Sequence, residues 1–224
     1  MLNKIVKHIS VVVDNQQTLK TLQDGKYSLY LIKDIVVDNK TIQGNVVFAT
    51  IPSEKVVYHM DLKWEESYEV FETIQDIIPG EPINYGTETP EVELYQKVTF
   101  HSDRGPEHQV DSMPALTVLN KWKDLAHVGV RCYSPQREEE DKFSPFYLSP
   151  QLVDGQAIRL TPTDSFSFFF ASYIQVGTIL DMSRAPISIS RFKFKEGRQE
   201  GIVYYDDSKD KNKYWSAGDG VESF

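Results

Sequence analysis

Between Val56 and Trp64 the chain alternates with a period of two. Val56, Tyr58, Met60, Leu62 and Trp64 fall on one face, and Val57, His59, Asp61 and Lys63 on the other. Successive strand side chains point to opposite sides, so an apolar face backed by a mostly polar one predicts a half-buried antiparallel strand. The same period recurs at Ile9, Val11 and Val13, across 27–37, and across 41–50. The Asp38-Asn39-Lys40 step between the last two suits a hairpin turn, because Asp and Asn tolerate left-handed backbone. Pro52-Ser53-Glu54 marks another turn.

The stretch 64–76, WEESYEVFETIQD, fits either a helix stripe or a strand. Its Tyr, Val, Phe and Thr content favours the strand. Proline and glycine make 78–90 a long loop, followed by a strand at 92–100 and a loop at 102–112. Extended segments are expected at 115–122, 125–133, 157–162, 165–174, 176–182, 187–194 and 200–207. The charged run 135–145 reads as an exposed loop and the one plausible boundary in the chain. SKDKNK at 208–213 is a charged turn, and the tail after Trp215 is expected to fray. Short strands punctuated by Pro, Gly, Asn and Asp predict an all-β, mainly antiparallel β-sandwich, with residues 1–224 as a single domain carrying long loops.

Residues 165–174 read SFSFFFASYI. As a strand, Phe166, Phe168 and Phe170 share a core face. Ser165, Ser167, Phe169, Ala171 and Tyr173 share the other, which is neither plainly solvent nor plainly core. A loop or a neighbouring aromatic covering that face explains it. A subunit interface, where such residues are enriched, or a membrane contact would do so in a different way.

With 33 acidic and 24 basic residues the net charge is −9. This balance argues against nucleic acid, which rewards clustered Lys and Arg, and against anionic lipid. Cys132 is the one cysteine, so an intrachain disulfide and a Cys-based zinc site are excluded and a reducing, cytoplasmic setting is expected. The N-terminus lacks a sustained apolar core and a small-residue cleavage site, and no run reaches membrane-spanning length.

Candidate chemistry is sparse. His101 and His108, with Asp103 and Glu107, form a possible metal set whose spacing matches no established motif. The carboxylates Glu65, Glu69 and Glu72 lie along one segment without the facing separation an acid/base pair needs. The acidic run 137–141 and the Asp206, Asp207, Asp210 group lack EF-hand spacing. Cys132 would need a base, and His127 points to the opposite strand face. Phosphate-loop, dinucleotide, zincin and nucleophile-elbow motifs do not occur. The expectation is therefore no enzyme, no metal and no cofactor.

Two blocks, 46–72 and 158–183, resemble a loose group of small bacterial and fungal β-proteins that includes the rhizosphere-expressed protein RhiA. Trp64, Tyr68 and Phe71 fill its first pattern; Thr161, Pro162, Phe168, Phe169, Gly177 and Asp181 fill its second. The resemblance implies a β-rich protein of unsettled activity and carries over no catalytic residue.

The functional expectation is a structural or interaction protein that partners with itself in a homo-oligomer or larger assembly. Phe169, Tyr173, Phe192, Phe194, Tyr204 and Tyr205 are its candidate interface, since sheet edges and aromatic patches are how β-proteins join. The alternative is a lectin- or toxin-like module that binds glycan or a membrane surface, with Tyr85, Trp122 and Trp215 as its stacking residues.

Overall fold

The computed structural model describes residues 4–134, 142–181, 189–209 and 214–224. Two mixed sheets pack together as a sandwich. The first contains β1 (Val6–Val13), β5 (His59–Thr73), β6 (Thr87–Glu88), β10 (His127–Tyr133), β11 (Phe143–Leu148), β14 (Glu200–Tyr205) and β15 (Trp215–Ala217). Its order is β11-β10-β5-β1-β14-β15, with β6 on β5. The second contains β2 (Ser28–Val37), β3 (Lys40–Ile42), β4 (Ala49–Ile51), β7 (Gln96–His101), β8 (Glu107–Val110) and β9 (Leu116–Lys121). It is completed by β12 (Ala157–Ala171), β13 (Ser190–Phe194) and β16 (Val221–Ser223). Most pairings are antiparallel; β1 with β14 and β7 with β9 are parallel. The all-β sandwich expected from the two-residue period is the observed class. Strands β10 and β11, on either side of 135–141, pair with each other.

Each sheet is built on one strand of 15 residues, β5 and β12. The ambiguous stretch 64–76 is resolved by β5, which runs unbroken from His59 to Thr73. The expected separate strands 157–162 and 165–174 are one strand, β12. Its pairing with β2 is interrupted between Pro162 and Phe166, so Pro162-Thr163-Asp164 is a bulge and not a turn. A bulge is where a strand accommodates a residue without a ladder donor. β2 lies along one edge of β12, while β9 and β13 share the other.

The core-facing aromatics form one continuous set. Trp64 of β5 meets Phe166 of β12 edge-on, with centroids 6.1 Å apart. Phe166 also touches Phe168, Phe192 and Phe194. Trp215 stacks on Phe168 and Phe170 at 5.7 and 5.6 Å.

Several local expectations give way to tertiary context. The chain enters β5 only at His59, after a 3₁₀ turn over Ser53–Lys55, so Tyr58 is exposed despite its place in the apolar alternation. A helix, α1 (Gln16–Asp24), was not anticipated. Asn15 caps it by accepting hydrogen bonds from Gln17 N and Thr18 N, and it buries Thr18, Leu19 and Leu22. Strand β8 forms inside the expected loop 102–112. Residues 176–181 make only isolated bridges, at Thr178 and Ile179. The tail does not fray: β15 and β16 pair with β14 and β13. Asp38 and Asn39 do take left-handed backbone, φ 46° and 68°, and close the β2–β3 hairpin.

Truncating Phe166 to alanine empties the centre of the aromatic set. We expect a loss of about 3–5 kcal/mol in urea unfolding. Tyr173→Ala removes an exposed ring and should shift stability by less than about 0.5 kcal/mol.

Candidate functional site

The structure separates the nine sequence-nominated aromatics sharply. Phe169, Phe192, Phe194 and Tyr205 are buried within the chain, so their side chains cannot meet a partner without opening the fold. Phe169 lies on the outward face of β12 but stacks on Tyr30 at 5.2 Å. It is enclosed by Ile32 and Val47, with Ile174, Val176 and Leu180 packed around them. The second face of SFSFFFASYI is thus a small core of its own, covered by the chain that follows the strand. Tyr204 is half-buried, and Tyr173, in the loop after β12, is 84% exposed.

The proposed ligand-stacking residues turn inward too. Trp215 is buried. Trp122 is half-buried against the main core. Tyr85 packs on Phe71 at 4.9 Å beneath the Arg131 guanidinium. None of the three is an exposed ring.

The polar candidates also acquire local partners. Glu107 accepts from Arg104 and lies 3.3 Å from His101 Nε2, while His108 is exposed on β8. Glu69 pairs with the buried Arg131, which also bonds Glu88. Asp206 and Asp207 accept from the Thr18 hydroxyl. The acidic run 137–141 and Asp210 lie outside the described residues. Among the described residues no group of three or more His, Cys, Asp and Glu has a geometry that would hold a metal ion. None of their helices is long and apolar enough to cross a membrane, which says nothing of strands.

What sequence reading missed is an open flank. Among the described residues β8 ends the nine-stranded sheet and pairs only with β7. Val110 lies opposite Gln96, and His108 opposite Val98. Opposed residues of an antiparallel pair share a face, so Val110 continues the face on which Val98 is core. Val98 is 1% exposed and Val110 is 91% exposed. The inner face of this sheet therefore extends past the cover of its partner sheet. Leu94, Tyr95 and Met113 are exposed beside it. Tyr95 N donates to Ala115 O and Asp111 N to Tyr95 O, tying residues 94–95 to the 110–115 turn. Tyr95 itself holds a left-handed backbone, φ 69°, an uncommon cost for an aromatic residue.

No family model, no curated protein and no solved structure matches this chain. Its function is read from geometry alone.

Two interior polar sites also go beyond what the local pattern predicts. Lys33 sits among Leu29, Leu31, Ile35 and Val37 on the inward register of β2. It is 1% exposed. Its Nζ lies 4.9 Å from the Trp64 ring centre, 5.3 Å from Phe146, 5.4 Å from Phe48 and 5.7 Å from Tyr68. Ring faces attract a cation, so the cage offsets part of the cost of burying one. Among the described residues no carboxylate comes within 4 Å of it; its hydrogen-bond partner is Cys132 Sγ at 3.6 Å. Cys132 in turn donates to Glu65 O at 3.0 Å. Burial pushes the Cys132 thiol up and the Tyr68 phenol well up. As the strand periodicity requires, His127 is on the other face of β10, bonded to Ser149 O.

Glu72 is the second. It faces inward near the end of β5 and is 4% exposed, and its Oε2 has no hydrogen-bond partner. The nearby indole N–H of Trp122 is likewise buried and unbonded. Burial pushes the Glu72 carboxyl up to about 7, with Thr87 and Trp122 pulling it back only in part. A carboxyl raised on folding stabilises most below its ordinary range, and the fold loses that advantage as pH rises towards 7. The integrated cost at pH 8 is about 3 kcal/mol. Glu72→Gln should therefore match the native protein in urea unfolding at pH 4 and exceed it at pH 8.

Proposed function

We propose that this chain is a non-enzymatic interaction protein that assembles with copies of itself, and that the β8 flank is the contact. The observation that carries the reading is Val110, on an open sheet edge and almost fully exposed although its face is core one strand away. An edge strand presents unpaired N–H and C=O groups to another strand. The apolar side chains Leu94, Tyr95, Val110 and Met113 supply the surface that such pairing would remove from water. A second β8 has the same edge and the same apolar flank, so a two-fold arrangement satisfies both copies with one patch.

This assigns assembly to residues other than Phe169, Phe192, Phe194 and Tyr205, whose aromatic character is spent on the core. Tyr173 remains an accessible ring apart from the flank. Glu107, the first residue of β8, is ion-paired with Arg104, and this pair limits which edges the strand tolerates, since like charges facing one another are costly.

Light scattering after size-exclusion chromatography tests the reading over a range of loading concentrations. The native chain should exceed the 25.8 kDa of one copy, with mass rising with concentration. Val110→Lys should return it to one copy with an unchanged far-ultraviolet spectrum. A native monomer at every concentration, or an oligomer indifferent to Val110→Lys, would defeat the β8 assignment.

A further inference from the structure

We infer that Lys33 and Cys132 form a modification site, at which mild oxidation joins the two side chains through a sulfur–nitrogen bond. The pair is set up by the fold. Lys33 belongs to β2 in one sheet and Cys132 to β10 in the other, 99 positions away, and their reactive atoms are 3.6 Å apart. The lysine is confined there by four rings. The sulfur is fixed by its bond to Glu65 O.

An oxidised cysteine ordinarily resolves with a second thiol. This sequence has one cysteine, so within the chain an amine is the available alternative, and Lys33 is the amine against the sulfur. Lys33 and Cys132 are themselves enclosed, at 1% and 0% exposed, and a groove shares two of their neighbours. The groove, of about 670 Å³, opens between β4 and the start of β5, and Phe48, Ser134 and Ser144 line it. Phe48 is also a wall of the lysine cage, and Ser144 is the β11 partner of Cys132. The raised thiol pKa makes the first step slow, which separates this site from a rapid peroxide sensor.

The chemistry closes with hydrogen peroxide as oxidant. In the first step the Cys132 sulfur attacks peroxide, the O–O bond breaks, and a sulfenic acid and one water form. In the second step the Lys33 ammonium first gives up a proton, its freed lone pair attacks that sulfur, the S–O bond breaks, and the departing hydroxyl takes one amine hydrogen to leave as a second water. Sulfur loses two electrons, peroxide gains them, and the protein loses two hydrogens. The product covalently ties the two sheets through their shared core.

The test is prolonged exposure of the purified full chain to hydrogen peroxide, followed by intact mass without reductant and by peptide mapping. The expected product is lighter by about 2 Da, contains Lys33 and Cys132 in one cross-linked peptide pair, and returns to the native mass with a thiol reductant. Its thermal midpoint should rise by roughly 5–15 °C, as for closure of a long loop. Lys33→Met should abolish the lighter species. Lys33→Arg, which keeps a cation in the cage but is a poor nucleophile, should do so while retaining the native circular dichroism. Three results would each overturn the inference: addition of oxygen atoms alone, an unchanged mass, or a lighter species that survives in Lys33→Arg.

Discussion

The contact of Trp64 with Phe166 is where the two long strands β5 and β12 meet. Each is the spine of its sheet and is hydrogen-bonded to three other strands. Placing the largest rings at that crossing sets the spacing between sheets, and their edge-on arrangement leaves room beside them for other groups. Lys33 fills that room, with Trp64 as one of its four walls. The cage is therefore a by-product of the packing that holds the sandwich together, and it cannot be altered without disturbing that packing.

Each spine also carries one shift in its pairing. The β5–β10 pairing shifts between Glu65 and Tyr68, and the β12–β2 pairing shifts between Pro162 and Phe166. Glu66 and Asp164 lie in these two irregularities, and Lys7 of β1 reaches both, at 3.8 and 2.7 Å. Lys7 also donates to Arg198 O and lies over the Phe194 ring. Burial raises the Glu66 carboxyl, and Lys7 and Lys33 pull it back in part. Lys7 thus ties together the two carboxylates that sit where the sheets depart from regular pairing.

The fold class was legible because its signal is local. Alternation at 60–64 and turn residues at Asp38-Asn39 report strands and a hairpin without knowledge of anything distant. The site was less legible for the same reason. Nothing local distinguishes Phe169, covered by residues 172–180, from Tyr173, which is bare. Val110 reads as an unremarkable residue in a loop, and only the pairing of β8 with β7 puts it on the core face beyond the core's edge. Lys33 did leave a trace: a lone lysine on the inward register of LYLIKDIVV. Its meaning depends on Trp64, Cys132 and Phe146, which arrive from three other strands. Of the residues that resemble the RhiA group, Trp64, Tyr68, Phe71, Phe168 and Phe169 are buried hydrophobics, positions that the packing of a sandwich itself calls for.

The parallel pairing of β1 with β14 has a consequence for how the molecule is made. Val6–Val13 sit in the middle of their sheet, yet one of their two neighbours is Glu200–Tyr205. A ribosome releasing this chain exposes β1 early and supplies that neighbour only after almost 190 further residues. Until then β1 can pair with β5 alone, and its other edge stays open. Closure of the first sheet therefore waits for β14 to be made, and a topology so rich in distant pairings folds slowly. During that interval the nascent chain is most vulnerable to pairing with a strand that is not its own.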